Sequence, residues 1–283
     1  MTPQDKQIYG LIGNPVKHSL SPAMHNAAFK ALKINAEYQL FELKPEEIKK
    51  FISELNKINI SGLNITVPYK EQIIPFLSLL SDEAKLIGAV NTIKVSGNKL
   101  AGFNTDAPGF IMHLTKDLKF SPQGKSVCII GAGGAAKAVT VSLANAKVKS
   151  ISIFDIDSKK MDALVSQLRN NFKAIKINSA SSIDSLGIKE CDLLVNTTPI
   201  GMRENDPCLV REELIHKDLL VYDVIYNPKE TKLLKLAKEK GARFSNGLGM
   251  LLYQGVAAFE IWTEGKAPVE IMRAALEEGV KKL

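Results

Sequence analysis

Arginine is scarce in this chain. None occurs before Arg169, and lysine supplies nearly all of the positive charge. A carboxylate bound by the first half must therefore be held by hydroxyls, amides or lysine, unless an arginine reaches it from another domain. Cysteine is equally sparse. Cys128, Cys191 and Cys208 are odd in number, scattered and without CxxC spacing. That excludes a disulfide framework and fits buried thiols in a reducing cytoplasm, the expected location. The four histidines, His18, His25, His113 and His216, have no metal-ligand spacing, and no metal is expected. No run approaches the ~20 apolar residues of a membrane helix. The polar start, MTPQDKQIYG, leads straight into a strand-like segment and resembles no signal peptide. The net charge of +7 comes without a basic stripe interleaved with aromatics. Stretches such as KPEEIKKFISELNK read as lysine-rich solvated helix faces rather than a nucleic-acid footprint. The expected partner is a small molecule, with no nucleic acid and no membrane, and the chain is expected to be a monomer or homodimer.

What is present is an α/β alternation, and 283 residues suit two domains. QIYGLIGN, AEYQLFEL and SGLNITVP read as strands. SPAMHNAAFKALK and PEEIKKFISELNKI read as helices, the first opened by a Ser-Pro pair. KEQIIPFLSLL reads as a helix kinked at Pro75. NTIKVSGNKLAGFNT reads as two strands around a Gly97-Asn98 turn. From Asp106 the pattern restarts with a connecting helix, APGFIMHLTKDL. Apolar strands then alternate with helices, as a doubly wound parallel sheet requires. Two helices, GMLLYQGVAAFEIWTEG and PVEIMRAALEEGVKK, close the chain. The expected division is an α/β substrate domain over residues 1–105, a Rossmann-type dinucleotide domain over 106–246, and helices at 247–283 returning to the substrate domain.

CIIGAGGAAKA places Gly131, Gly133 and Ala136 in a G-x-G-x-x-A pattern between a strand and a helix. Gly131 permits the turn, Gly133 lets the backbone approach a pyrophosphate, and Ala136 keeps the helix close to the strand. At the end of the next strand stands Asp155, positioned to bind a ribose diol. Asp157, Lys159 and Lys160 follow. A carboxylate repels the 2′-phosphate of NADP by several kcal/mol, of order ~4 for unit charges near 4 Å at an intermediate dielectric. An exposed lysine returns about 1 kcal/mol or less. The expected cofactor is NAD, with NADP as the alternative.

Eight stretches carry a family resemblance: GNPVKHSLSPAMHN at 13–26, GLNITVPYK at 62–70, GAVNTI at 88–93, GFNTDAPGF at 102–110, GAGGAA at 131–136, NTTPIGM at 196–202, DVIYNPKETKLL at 223–234 and NGLGMLLYQGVAAFEIWT at 246–263. Together they resemble the shikimate dehydrogenase family over nearly the whole chain. The resemblance implies reversible NAD(P)-linked conversion of shikimate and 3-dehydroshikimate, a step toward chorismate and the aromatic amino acids. It implies a catalytic pair of Lys70 and Asp106, and a substrate carboxylate held by Ser19 and Ser21. Thr66, Asn91 and Gln254 match substrate-hydroxyl positions, with Asn64 and Tyr226 nearby. The implied cofactor contacts are Gly131, Gly133, Gly134, Ala135 and Ala136 in the turn, Asp155 and Asp157 beyond it, Thr197 and Pro199, Ile225, Gly247 and Met250. One departure stands out. NADP-using members carry an Asn-Arg-Thr type sequence where this chain has Asp155, Ile156 and Asp157, and Ile156 supplies no donor.

The same residues have plainer readings. Lys70 follows Pro68 and is expected to open a helix, where the dipole disfavours an ammonium and so suits a group that must give up a proton. It can equally be a solvated lysine, and Asp106 an N-cap at the expected domain junction. Ser21 can be the N-cap of its helix. Met250 can be a core residue, and His18 reads as structural. The rival activities are an NAD-dependent quinate or quinate/shikimate dehydrogenase and a silent NAD-sensing regulator. Retention of both Lys70 and Asp106 opposes the second.

Overall fold

The computed structural model describes residues 6–55 and 59–282. The chain divides into two compact units, one running to Gly109 and resuming at Leu251, the other spanning Phe110–Met250.

The first unit is built on a six-stranded mixed sheet. Its strands are β1 (Gln7–Gly13), β2 (Ala36–Glu42), β3 (Ile60–Ile65), β4 (Leu79–Leu80), β5 (Thr92–Ser96) and β6 (Lys99–Phe103), in the order β2-β1-β3-β5-β6-β4. β1 runs parallel to β2 and β3, while β5 is antiparallel to β3 and β6. The β5–β6 hairpin turns at Gly97-Asn98 as its sequence predicts. Gly97 there takes φ +57, a left-handed conformation that a glycine adopts without a Cβ clash. Helices α1 (Ser21–Ala31), α2 (Ile48–Ser53) and α3 (Asp82–Ile87) belong to this unit, and α4 (Asp106–Met112) leads out of it. Ile12, Leu63, Ile65, Tyr69, Ile73 and Ile93 fill its core.

Three local expectations are corrected here. Residues 70–80 form turns, a short 3-10 segment at Ile74–Phe76 and strand β4, not a kinked helix. Pro75 has no N–H to continue a helix. Tyr69 and Ile73 are drawn into the core, and β4 pairs with β6. Lys70 therefore opens no helix, and the dipole argument falls. At α1 the N-cap is Leu20, with no side-chain cap, so Ser21 lies one position inside. Its amide instead donates to Ser19 Oγ at 3.2 Å. Among the cysteines, Cys128 and Cys191 are buried but Cys208 is exposed.

The second unit is a parallel sheet of β7 (Ser126–Ile130), β8 (Ser150–Phe154), β9 (Lys176–Ser179), β10 (Leu193–Asn196), β11 (Leu220–Asp223) and β12 (Arg243–Ser245), ordered β12-β11-β10-β7-β8-β9. α5 (Gly134–Asn145), α6 (Ser158–Asn171) and α7 (Lys232–Glu239) connect them. The central strands β7, β10 and β11 are buried on both faces, in keeping with their apolar runs, while β8, β9 and β12 are only partly buried. Successive strands step outward from β7 to β9, then from β10 to β12 on its other side. The order reverses between β7 and β10, the switch point at which such sheets bind ligands beyond their carboxyl ends. α8 (Leu248–Thr263) leads into the first unit, where α9 (Val269–Val280) packs on α1. Among the described residues, no helix is long and apolar enough to cross a membrane.

Candidate active site

Strand direction gathers the first unit's polar residues. β3 and β6 end, and β5 begins, on the same edge of the sheet. The antiparallel register sets Asn64 opposite Thr92 and Thr92 opposite Phe103. Asn104, Thr105 and Asp106 follow β6, while Thr66 and Lys70 follow β3. The Lys70 carbonyl accepts from the Val90 amide at 2.8 Å, which ties the two loops together.

Lys70 Nζ lies 2.5 Å from Asp106 Oδ2. Only 16% of the lysine side chain and 9% of the aspartate side chain are exposed, so this is neither a solvated lysine nor a surface ion pair. Nor does Asp106 cap α4. Asn104 Oδ1 takes that role, accepting from the amides of Asp106 at 3.1 Å and Ala107 at 3.3 Å. The second oxygen of Asp106 accepts from Asn91 Nδ2 at 2.9 Å. Asn91 is buried and fully engaged. It also donates to Thr105 Oγ1, at 2.9 Å, and more distantly to Gln254 Oε1, at 3.5 Å. Its own oxygen accepts from the Thr105 amide at 2.7 Å.

The network continues through residues that the sequence reading does not name. Thr92 Oγ1 donates to Asn91 and accepts from Asn64 Nδ2, each at 3.0 Å. Tyr38 Oη donates to Asn64 Oδ1 at 2.8 Å and also hydrogen-bonds Ser21. Side chains from Ser21 to Lys70 are thus joined through Tyr38, Asn64, Thr92, Asn91 and Asp106. Thr92 and Thr105 adjoin Asn91 and Asp106 in the matched motifs, a signal available in sequence. Tyr38 carries no such signal, being one apolar-looking member of a strand. Thr66 is half-buried, with its methyl toward Gly13. Ser19 is half-buried and His18 exposed. Arg273, the sole arginine of this unit, donates to Tyr253 Oη and stacks on its ring.

In the second unit the glycine turn lies between β7 and α5. Gly131 has φ +113, and a Cβ there would collide with Thr197 Oγ1. Gly133 is the N-cap of α5, without a side-chain cap, and a Cβ there would meet nothing within 4 Å. The backbone is therefore bare where the helix presents its free N–H groups, the arrangement a pyrophosphate needs. Ala136 is fully buried, as close helix–strand packing requires. Asp155 directly follows β8 and grips the turn, Oδ2 accepting from the Ala132 amide at 2.6 Å and Oδ1 from the Asp157 amide at 2.8 Å. A carboxylate has about four acceptor positions, so two remain for a ribose diol. Asp157 is the N-cap of α6 and pairs with Lys160 at 3.4 Å. Thr197 and Pro199 follow β10, and Ile225 and Tyr226 follow β11. The Gly247 amide donates to Ile225 O at 3.1 Å. Met250 is buried. Tyr226 and Gln254, both expected near the substrate, belong to different units.

A switch-point sheet with a bare glycine turn and a strand-end carboxylate, in a chain whose other unit carries a shielded lysine–aspartate pair, defines a dinucleotide-dependent oxidoreductase. Family models agree along the chain: the shikimate dehydrogenase substrate binding domain over residues 11–93, shikimate / quinate 5-dehydrogenase over 114–203 and the shikimate 5′-dehydrogenase C-terminal domain over 247–277. The shikimate dehydrogenase (NADP(+)) of Methanopyrus kandleri is 42% identical over 281 residues, covering 98% of this chain and 97% of that one. The crystal structure of shikimate dehydrogenase from Aquifex aeolicus matches with a TM-score of 0.89 at 39% identity, covering 98% and 99% of the two chains. That of shikimate 5-dehydrogenase from Listeria monocytogenes, in complex with shikimate and NAD, matches with a TM-score of 0.88 at 36% identity, covering 96% of each. The chain belongs to the shikimate dehydrogenase family.

Proposed function

We propose that this chain interconverts shikimate and 3-dehydroshikimate, with Lys70 and Asp106 as its catalytic residues and NAD as its preferred cofactor. The carrying observation is the 2.5 Å Lys70–Asp106 pair, shielded from solvent and braced by Asn91. A bound nicotinamide dinucleotide supplies the hydride acceptor for oxidation and the hydride donor for reduction. The protein's part is the proton. In oxidation the neutral amine form of Lys70 takes the proton of the substrate hydroxyl and becomes the ammonium; in reduction the ammonium returns it. Asp106 holds Nζ in one place, because Asn91 fixes its other oxygen. Thr66 and Gln254 offer neutral donors and acceptors of the kind that a polyhydroxylated ring requires, while Asn64 and Asn91, engaged within the network, brace the groups around it. Ser19 and Ser21 hold the substrate carboxylate. The scarcity of arginine in this unit supports that reading, since Arg273 is engaged with Tyr253.

In the second unit, the amides of Gly133, Gly134, Ala135 and Ala136 cradle the pyrophosphate and Asp155 takes the adenosine ribose. Asp157 is spent on capping α6, and its ion pair diverts Lys160 from a 2′-phosphate. Ile156, 94% exposed, offers no donor. Thr197, Pro199, Ile225, Gly247 and Met250 line the remainder. One assay tests the whole reading: shikimate and quinate, each with NAD and with NADP, followed at the absorbance of the reduced nicotinamide. The expected outcome is fastest turnover with shikimate and NAD. No turnover in any of the four mixtures refutes the activity, and faster quinate oxidation reassigns the substrate.

A further inference from the structure

The reaction above leaves unused one buried carboxylate of the second unit. Asp223 ends β11 and is fully withdrawn from solvent. Its Oδ1 accepts from Asn196 Nδ2 at 3.0 Å and from the Ile225 amide at 3.1 Å, and its Oδ2 from Thr231 Oγ1 at 2.7 Å. The three donors come from three segments. Asn196 closes β10 and shapes the turn after it. Its Nδ2 also donates to Ile200 O at 3.2 Å, and its Oδ1 accepts from the Thr198 amide at 3.0 Å and Thr198 Oγ1 at 2.8 Å. Ile225 belongs to the loop after β11, and its carbonyl holds the Gly247 amide. Thr231 is the N-cap of α7, its hydroxyl accepting from the Leu234 amide at 3.3 Å. One carboxylate thus ties together the segments bearing Thr197, Pro199, Ile225 and Gly247, at the carboxyl ends of β10 and β11 beside the switch point.

We propose that Asp223 is the positioning residue of the dinucleotide site, its carboxyl group holding the loops after β10 and β11 in the conformation that binds the cofactor. This role rests on the dinucleotide reading above. The groups that face the carboxylate are the Asn196 amide from β10, the Thr231 hydroxyl from α7 and the Ile225 N–H of its own loop. None of them titrates, and no charged group perturbs the carboxyl. Desolvation by burial, opposed by the three hydrogen bonds, pushes its pKa up to about 6. A carboxyl with a raised pKa binds its proton more tightly in the buried, held conformation than in an opened, hydrated loop, so acidification favours the held conformation and does not release it. Above pH 6 burial of the ionised form weighs against the held conformation, and the three donors sustain it.

The test is calorimetric titration of the full chain with whichever of NAD and NADP the wild type binds more tightly, at pH 7.5 and 5.0. Wild type, Asp223→Ala, Asp223→Asn and Thr231→Val are compared at each pH, so that ionisation of the ligand cancels. Asp223→Ala, which removes all three ties, is expected to bind about tenfold more weakly than wild type at pH 7.5, with the gap at least as wide at pH 5.0. Asp223→Asn keeps an acceptor for the Asn196 and Ile225 N–H groups and is expected to recover most of that loss. Thr231→Val removes one tie and is expected to bind more weakly than wild type at both pH values. Circular dichroism melts establish that each variant is folded. If Asp223→Ala proves unfolded, Thr231→Val decides alone. An Asp223→Ala protein that melts earlier yet keeps the wild-type Kd shows a merely structural aspartate and overturns the role. So does a gap between Asp223→Ala and wild type that closes at pH 5.0, or a Thr231→Val protein that binds as wild type does. Wild type that binds neither dinucleotide at pH 7.5 refutes the dinucleotide reading itself.

Discussion

Exchanging Asp155→Asn together with Ile156→Arg should turn the cofactor preference from NAD toward NADP. The geometry shows why one change is insufficient. Asp155 accepts two backbone amides, from Ala132 on one oxygen and Asp157 on the other. Asparagine has a single acceptor oxygen, so one of those amides would face an NH2 group and lose its partner, at about 1–3 kcal/mol. Asp155→Asn alone should therefore weaken both cofactors by loosening the glycine turn, while narrowing the gap between them. Removing the carboxylate abolishes a repulsion of order ~4 kcal/mol for unit charges near 4 Å at an intermediate dielectric; water access at this half-buried position reduces it. Arginine at the exposed position 156 adds a donor fork for the 2′-phosphate. The wild type should favour NAD by at least about tenfold in kcat/KM, or ~1.4 kcal/mol, and the double variant should bring the ratio to unity or below. Initial rates with shikimate and each cofactor at fixed ionic strength measure it. A wild type that prefers NADP, and loses that preference in Lys159→Ala plus Lys160→Ala, would refute the reasoning: the lysines would then outweigh the carboxylate.

Lys70→Ala should lower kcat by ~10² or more with a much smaller effect on KM, and Asp106→Asn should also be slow, as the charge holding Nζ is gone. Retention of over half the wild-type kcat in Lys70→Ala would remove Lys70 from the mechanism. Ser19→Ala and Ser21→Ala should each raise KM for shikimate by the ~1–3 kcal/mol of an unpaired polar group; normal KM with only a lower melting temperature would make them structural. His25 is buried, its ring nitrogens have no hydrogen-bond partner among the described residues, and desolvation pushes its pKa down to about 3. A folded-state pKa below the unfolded one stabilises the fold above pH ~6.5 and loses that contribution as pH falls toward 3. His25→Phe should accordingly remove about 2 kcal/mol of the stability lost between pH 7 and 5. Unfolding followed by Trp262, whose ring centroid lies 5.3 Å from that of His25, reports it, and equal losses in both proteins would exclude His25 as the cause.

The dinucleotide unit was legible because its determinants are local. Strand, glycine turn, helix and Asp155 fall within one stretch of chain, and a backbone of φ +113 at Gly131 restricts the residue type directly. The Gly97-Asn98 hairpin was legible for the same reason. Residues 70–80 misled because their apolar spacing is also helical. Burial of Tyr69 and Ile73 and the pairing of β4 with β6 decided their form, and neither is a property of the segment. The motifs singled out Lys70, Asn91 and Asp106 but carried no measure of their contact. Lys70 and Asp106 stand 36 positions apart, and the register of β3, β5 and β6 sets the loops that bear them on one edge. Tyr38, Thr92 and Thr105 entered the network only there, because a hydroxyl's partner is chosen by whichever group the folded sheet brings within hydrogen-bonding distance. By itself the sequence determined the family, the two-unit α/β plan and the chemical types at the site. Tertiary structure decided which polar groups meet and which side chains water no longer reaches, since both depend on pairings between residues distant in the chain.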